Sequence, residues 1–197
     1  MNQTPSPIVG ILDLQGDVIE HRRALEACGA EVMSVKTVED LMRVEGLIIP
    51  GGESTTIGKL MEWYDLAEPI RKRVAEGMPI YGSCAGTILL AREIVGKETA
   101  KSLAVMDIEV ERNSYGRQLD SFEDDVEMDG NKIPAVFIRA PRIKKLGQNV
   151  VPLAQCGPDV VLAREGNKLV STFHPELTPD LTVHRYFLTL VHDARSN

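Results

Sequence analysis

Pro79-Ile80-Tyr81-Gly82-Ser83-Cys84-Ala85-Gly86 is the stretch from which the rest of this chain can be read. A short apolar run stops at Gly-x-Cys-x-Gly, and a helix-like run, Thr87 to Glu93, follows at once. This is the cysteine form of a nucleophile elbow, a tight turn from strand to helix that lifts one side chain above a sheet. Gly82 and Gly86 leave room where a side chain would collide with the turn or a neighbouring strand. Cys84 falls at a helix N-terminus, whose partial positive charge favours a thiolate. A nucleophilic sulfur in that setting points to acyl transfer.

Upstream of the elbow, strand and helix signals alternate. Ile8–Leu12 is a short apolar run. Asp17 is placed to cap a helix to about Cys28, with Glu20 in the capping-box position and Gly29 as its stop. Glu31–Val35 alternates as a strand, Thr37 is placed to cap a short helix to Val44, and Gly46–Ile49 is a third strand ending at Pro50-Gly51-Gly52. One or two helices cover Thr55 to Glu76. Short apolar strands separated by helices predict a parallel sheet covered on both faces. Downstream the character changes. Strand-like runs at Val105–Glu111, Asp125–Met128, Ala135–Arg139, Val150–Gln155, Val160–Arg164 and Leu169–Phe173 are joined by turns such as Asp129-Gly130 and Gly166-Asn167, which predicts antiparallel pairing. A last helix runs from about Pro179 to Ala194. The expectation is one α/β domain over residues 1–197, a mainly parallel sheet flanked by helices and extended by antiparallel strands.

Composition sets the outer limits. The 197 residues, 43% hydrophobic and 26% charged, suit one soluble domain with a sizeable core. A net charge of −7 argues against general nucleic-acid binding. The two basic clusters, Arg71-Lys72-Arg73 and Arg142-Ile143-Lys144-Lys145, read as solvated faces. No apolar run is long enough for a membrane span, and no signal peptide is visible. Cys28, Cys84 and Cys156 are odd in number and fit no metal spacing, which implies a reducing, cytoplasmic setting. Cys28 and Cys156 read as small core residues, and His21, His184 and His192 as surface or packing residues. No metal and no cofactor is expected.

Two further signals complete the chemistry. Thr172-Phe173-His174-Pro175-Glu176 ends an apolar strand. The residue before proline is driven towards extended geometry, and positions two apart then share a face. His174 is therefore the candidate base for Cys84, and Glu176 the group that orients the imidazole. Ile49-Pro50-Gly51-Gly52-Glu53-Ser54 also follows a strand directly. Such a loop can offer the Gly52 N–H to an oxyanion while Ala85 offers another. Removing one donor of this kind costs about a hundred- to a thousand-fold in rate.

Taken in order, Pro-Gly-Gly-Glu-Ser, Gly-Ser-Cys-Ala-Gly and Phe-His-Pro-Glu resemble the class I, triad-type glutamine amidotransferases, whose fold is flavodoxin-like. The resemblance covers nearly the whole chain. Leu14-Gln15-Gly16-Asp17 with Glu20-His21, Gly51 to Thr56, Glu111-Arg112-Asn113-Ser114-Tyr115-Gly116-Arg117-Gln118 and Phe137-Ile138-Arg139-Ala140-Pro141 narrow it to the family of glutaminase subunits of pyridoxal 5'-phosphate synthases. Ser83, Thr87 and Thr172 stand where that family more often has threonine, an aliphatic residue and serine, and none of these departures removes a catalytic group. The resemblance implies a triad of Cys84, His174 and Glu176, and glutamine contacts at Gly52, Glu53, Ser54, Arg112, Ile138 and Arg139. An arginine suits the α-carboxylate of glutamine and Glu53 its α-ammonium; spacing leaves open which arginine touches substrate. It also implies L-glutamine as substrate, and a partner, the separate synthase subunit, that receives ammonia. A stand-alone cysteine hydrolase or deglycase of similar fold, and a non-catalytic binding module, are the alternatives.

Overall fold

The computed structural model describes residues 6–96, 101–112 and 121–196. Its centre is a seven-stranded sheet. Strands β1 (Ile8–Leu12), β2 (Glu31–Val35), β3 (Gly46–Ile49), β4 (Ile80–Ser83) and β12 (Lys168–Ser171) are parallel. Their order, β2-β1-β3-β4-β12, is the flavodoxin-like arrangement, in which ligands bind beyond the carboxyl ends of the strands. Strands β11 (Asp159–Glu165) and β10 (Val151–Cys156) extend the sheet by antiparallel pairing beside β12.

The apolar runs are continuous because both faces of the sheet are covered. Leu47, Ile49, Ile80 and Val170 point into one core, and Ile48, Tyr81 and Leu169 into the other. The first core is closed by α2 (Val38–Leu41), α3 (Ser54–Trp63), α4 (Ala67–Ala75) and α5 (Ala85–Leu90). The second is closed by α1 (Val18–Ala27), α6 (Thr182–Arg195) and the hairpin of β7 (Ser121–Met128) with β8 (Asn131–Ile138). A small sheet of β5 (Ala91–Val95), β6 (Met106–Glu111) and β9 (Arg142–Leu146) lies at one side.

Three local expectations change. The helix after the elbow stops at Leu90, and Ala91–Val95 pairs with β6 as a strand. Arg142–Leu146, read as a solvated basic run, is a strand whose Lys144 and Lys145 meet Glu111 and Glu109 of β6. Arg71 and Arg73 are likewise more than a solvated face. Arg71 donates to the Leu103 and Ser102 carbonyls, and Arg73 to those of Leu41 and Val44, which pins α4 to its neighbours. Thr37 does cap α2, with Asp40 completing a capping box. Asn113 to Gln118, part of the family resemblance, lie outside the described residues.

Candidate active site

Register places the site. Ser171 of β12 pairs with Ser83 of β4, and Gly82 of β4 pairs with Ile49 of β3. The segments leaving these three strands, with His174, Cys84 and Gly52, therefore emerge side by side at one sheet edge. The Cys84 N–H donates to the Ser171 carbonyl at 2.8 Å, which locks the elbow to β12.

Cys84 has φ 45° and ψ −98°. Backbone of this kind is costly for a non-glycine residue and persists only where the surroundings enforce it. The glycines show how. A Cβ on Gly82 would lie 2.5 Å from the Gly86 carbonyl carbon, and one on Gly86 would lie 2.3 Å from the Ile49 carbonyl oxygen. Only hydrogens fit between β4, α5 and β3. Cys84 is 6% exposed, and its sulfur lies 3.8 Å from the Ile138 carbonyl oxygen.

His174 is held from two directions. Its N–H donates to the Val136 carbonyl at 2.8 Å, tying the histidine segment to β8. Its Nδ1 lies 2.8 Å from Glu176 Oε1 and 3.3 Å from Asp17 Oδ2. The ring lies against Gly51, where a Cβ would fall 2.4 Å from Cε1. Burial by itself lowers the His174 pKa, but the bonds to Asp17, Cys84 and Glu176 outweigh it and push it up to about 12. Burial likewise opposes ionisation of Glu176, yet the neighbouring His21 and His174 hold its carboxyl well below the usual carboxylate range. Asp17 is the N-cap residue of α1, as expected, but its side chain makes no capping bond; the carboxylate serves the histidine instead. Asp17, His174 and Glu176 could converge on a cation, their ligating atoms lying within 4.8 Å of one another. A 2.8 Å N–O contact is that of a shared proton, which suits a hydrogen-bonded triad.

A cavity of about 340 Å³ opens above Cys84. Gly52, Glu53, Ser54, Ala85, Ile138 and Arg139 line it with Cys84 and His174, and Arg112 closes one side. Glu176 lies behind His174, buried. Every residue selected from the sequence is therefore either on this cavity or directly behind it. The two arginines differ. Arg112 keeps a side chain only 13% exposed and donates to Glu53 Oε1 at 3.3 Å. Arg139 is exposed, on backbone with φ 43°.

Glu53 is also the N-cap of α3. Its carboxylate accepts from the Thr55 N–H at 3.2 Å, the Thr56 N–H at 2.7 Å, the Thr56 hydroxyl at 2.8 Å and Arg112. Burial works against ionisation there, but the threonine bonds and Arg112 lower its pKa. Four donors occupy the roughly four acceptor positions of a carboxylate, so a ligand ammonium would have to displace one. Gln15 is not among the residues selected from the sequence, and Asp17 is there only as a helix cap, although both lie in the Leu-Gln-Gly-Asp stretch of the resemblance. Gln15 Oε1 accepts the Glu53 N–H at 2.8 Å and so fixes the Gly-Gly loop. His21 and His184 are fully buried and bonded to each other, whereas His192 is exposed. Cys28 and Cys156 are half-buried free thiols packed against the second core.

Comparison with known proteins agrees with this geometry. Residues 11–193 match the SNO glutamine amidotransferase family. The chain is 52% identical to a Thermus thermophilus protein named pyridoxal 5'-phosphate synthase subunit PdxT, over 93% of this chain and 97% of that one. It is also 52% identical to the protein of the same name from Pseudothermotoga lettingae, over 92% of this chain and 94% of that one. A solved structure described as a glutamine amidotransferase superposes with a TM-score of 0.90 at 50% identity, covering 93% of this chain and 98% of that chain. A putative GMP synthase component from Thermoplasma acidophilum, at 16% identity and a TM-score of 0.71 over 98% of each chain, shares the fold. An elbow cysteine, a doubly anchored histidine and an arginine-walled cavity thus stand on a scaffold common to these proteins, and the chain belongs to the SNO glutamine amidotransferase family.

Proposed function

We propose that this chain is the glutaminase subunit of a pyridoxal 5'-phosphate synthase. It hydrolyses L-glutamine to L-glutamate and ammonia and passes the ammonia to a synthase subunit. The observation that carries the reading is the convergence of Cys84, His174 and the Gly51-Gly52 loop on one cavity closed by Arg112. The side-chain amide of glutamine lies over Cys84 while its α-carboxylate pairs with Arg112. Glu53 acts by holding that guanidinium and α3, and Arg139 covers the opening.

His174, its pKa pushed up to about 12, is charged at rest. The sulfur attacks the amide carbon, and the N–H groups of Gly52 and Ala85 receive the developing oxyanion. His174 gives its proton to the departing ammonia, leaving a γ-glutamyl thioester on Cys84. The now neutral ring takes a proton from water, which releases glutamate and frees the sulfur. Glu176 and Asp17 stabilise the imidazolium on both sides of the cycle. The whole chain acts as one domain in this reading, and the setting is cytoplasmic. Among the described residues no helix is long and apolar enough to cross a membrane.

The test is glutamate release by the wild type and by Cys84→Ala, each with the synthase subunit present. Loss of release in the variant is expected, and equal rates end the assignment. A glutamine-like alkylating agent that adds mass at Cys84, blocked by glutamine, separates this reading from a stand-alone hydrolase.

A further inference from the structure

Behind the triad lies a buried chain of polar groups that the reaction as written does not use. His21 of α1 and His184 of α6 are 0% exposed, and 163 positions separate them in sequence. His184 Nε2 lies 3.0 Å from His21 Nδ1. His21 Nε2 lies 2.9 Å from Ser83 Oγ and 3.4 Å from Glu176 Oε1. Ser83 Oγ in turn donates to the same Glu176 oxygen at 3.3 Å. Tyr81 packs edge-on against both imidazoles, with ring centroids 5.9 Å and 6.3 Å away, and its hydroxyl is engaged with Ser171 at 2.8 Å.

Counting protons gives this chain a direction. His184 is neutral: burial lowers its pKa to about 3. Its single N–H sits on Nε2 or on Nδ1. The Nδ1 atom is buried with no hydrogen-bond partner among the described residues, and an orphaned donor is far costlier there than an orphaned lone pair. The N–H is therefore on Nε2 and points at His21 Nδ1. His21 must then accept at Nδ1 and carry its proton on Nε2, aimed at Ser83 and Glu176. The reverse tautomer of His21 would aim a lone pair at a carboxylate.

We infer that His21 is a positioning residue for the triad glutamate, and that His184 sets the tautomer of His21 that does this. The inference rests on Cys84, His174 and Glu176 being the triad. Glu176 Oε1 collects His174, Ser83 and His21, while Oε2 has no partner among the described residues. With His21 removed, a fully buried carboxylate keeps one hydroxyl and the ring it is meant to orient. The groups facing Glu176 are then Ser83 of β4, His174 on its own turn, the Asp17 carboxylate at the start of α1, and Tyr81, whose hydroxyl is bound to Ser171. The carboxylate becomes easier to protonate, and His174 is left with Asp17 as its one ionised carboxylate neighbour among the described residues.

The experiment uses the complex with its synthase subunit, comparing wild type with the variants His21→Leu, His21→Gln and His184→Leu. In His21→Leu, kcat falls by about ten- to a hundred-fold, as for other groups that orient a functional ligand from behind. KM for glutamine changes by less than about twofold, because nothing on the cavity wall moves. The acid limb of the kcat/KM profile moves to higher pH. His21→Gln, whose amide N–H reaches the same carboxylate, recovers most of the loss. His184→Leu gives a smaller fall of the same kind and serves if His21→Leu does not fold. Wild-type kcat and pH profile in all folded variants overturn the inference. So does an equal loss in the Leu and Gln variants that tracks the amount of folded protein, since packing alone would do that. A wild type whose glutamate release survives Cys84→Ala refutes the triad instead, and the two failures are told apart by that control.

Discussion

Gly86→Ala tests the geometry of the elbow with a single methyl group. The added Cβ would sit 2.3 Å from the Ile49 carbonyl oxygen and 3.2 Å from its carbon, where ordinary contact starts at 3.4 Å. That oxygen belongs to backbone in the middle of the sheet, so it cannot swing aside as a flexible side chain would. The start of α5 must part from β3 by about 1 Å. Those two elements carry the two proposed oxyanion donors, Ala85 on α5 and Gly52 just beyond β3. A displacement of about 1 Å costs roughly a hundred-fold, and loss of one donor costs about a hundred- to a thousand-fold. The expected kcat is therefore about one hundredth of wild type, or about 2.7 kcal/mol of transition-state stabilisation. Stability changes less. Overpacking costs about 1–3 kcal/mol, and alanine in a helix returns about 1 kcal/mol relative to glycine. Glutamate release measured with the synthase subunit gives kcat and KM, and a denaturant titration confirms the folded fraction. Alkylation of Cys84 by iodoacetamide, which builds no oxyanion, stays within about threefold of wild type. A folded Gly86→Ala enzyme with undiminished kcat would refute the account of why the elbow needs glycine and where the oxyanion is held.

Cys84→Gly should abolish glutamate release yet raise the unfolding midpoint. Glycine accepts φ 45° without strain, a gain of about 1 kcal/mol or more set against the loss of one small buried side chain; a lower midpoint speaks against stored strain. Arg112→Lys should raise KM for glutamine by about tenfold or more with a smaller change in kcat, because an ammonium cannot form the bidentate pair; steady-state kinetics decide it. His184 gives a pH dependence of stability. Its folded pKa of about 3 lies below its ordinary value of 6.5, so below pH 6.5 the unfolded chain binds a proton that the folded chain refuses. Stability from this group is whole above pH 6.5 and is lost as pH falls, by about 1.4 kcal/mol per pH unit. Between pH 6.5 and 5.5, where the unfolded imidazole goes from half to almost fully protonated, urea titrations should show a loss of about 1 kcal/mol from this group in the wild type and a flatter response in His184→Gln. His174 contributes with the opposite sign. Its raised pKa gives stability that is present below pH 6.5 and declines as pH rises towards about 12.

Local chemistry carries a long way in this chain. Ile8–Leu12, Glu31–Val35 and Gly46–Ile49 are legible as strands because each is a short apolar or alternating run bounded by turn residues, and turn chemistry is decided within a few residues. The elbow, the Gly-Gly loop and His-Pro-Glu are legible for the same reason, since each is a backbone shape that few residues allow. Ala91–Glu93 and Arg142–Leu146 were not legible as strands. Their hydrogen bonds go to β6, and nothing in their own side chains marks that pairing.

Sequence by itself determined the alternation of strands and helices, the bend at Cys84 and the identity of the groups able to do acyl transfer. Tertiary structure alone decided how those groups are wired. It sent the side chain of Asp17, the N-cap residue of α1, to His174 as a second carboxylate. It made Glu53 a clamp for Arg112, and it buried His21 and His184 behind Glu176. The physical reason is distance along the chain: α1, β4 and α6 meet only after the parallel sheet has formed, and a hydrogen bond between partners 163 positions apart leaves no local pattern to read.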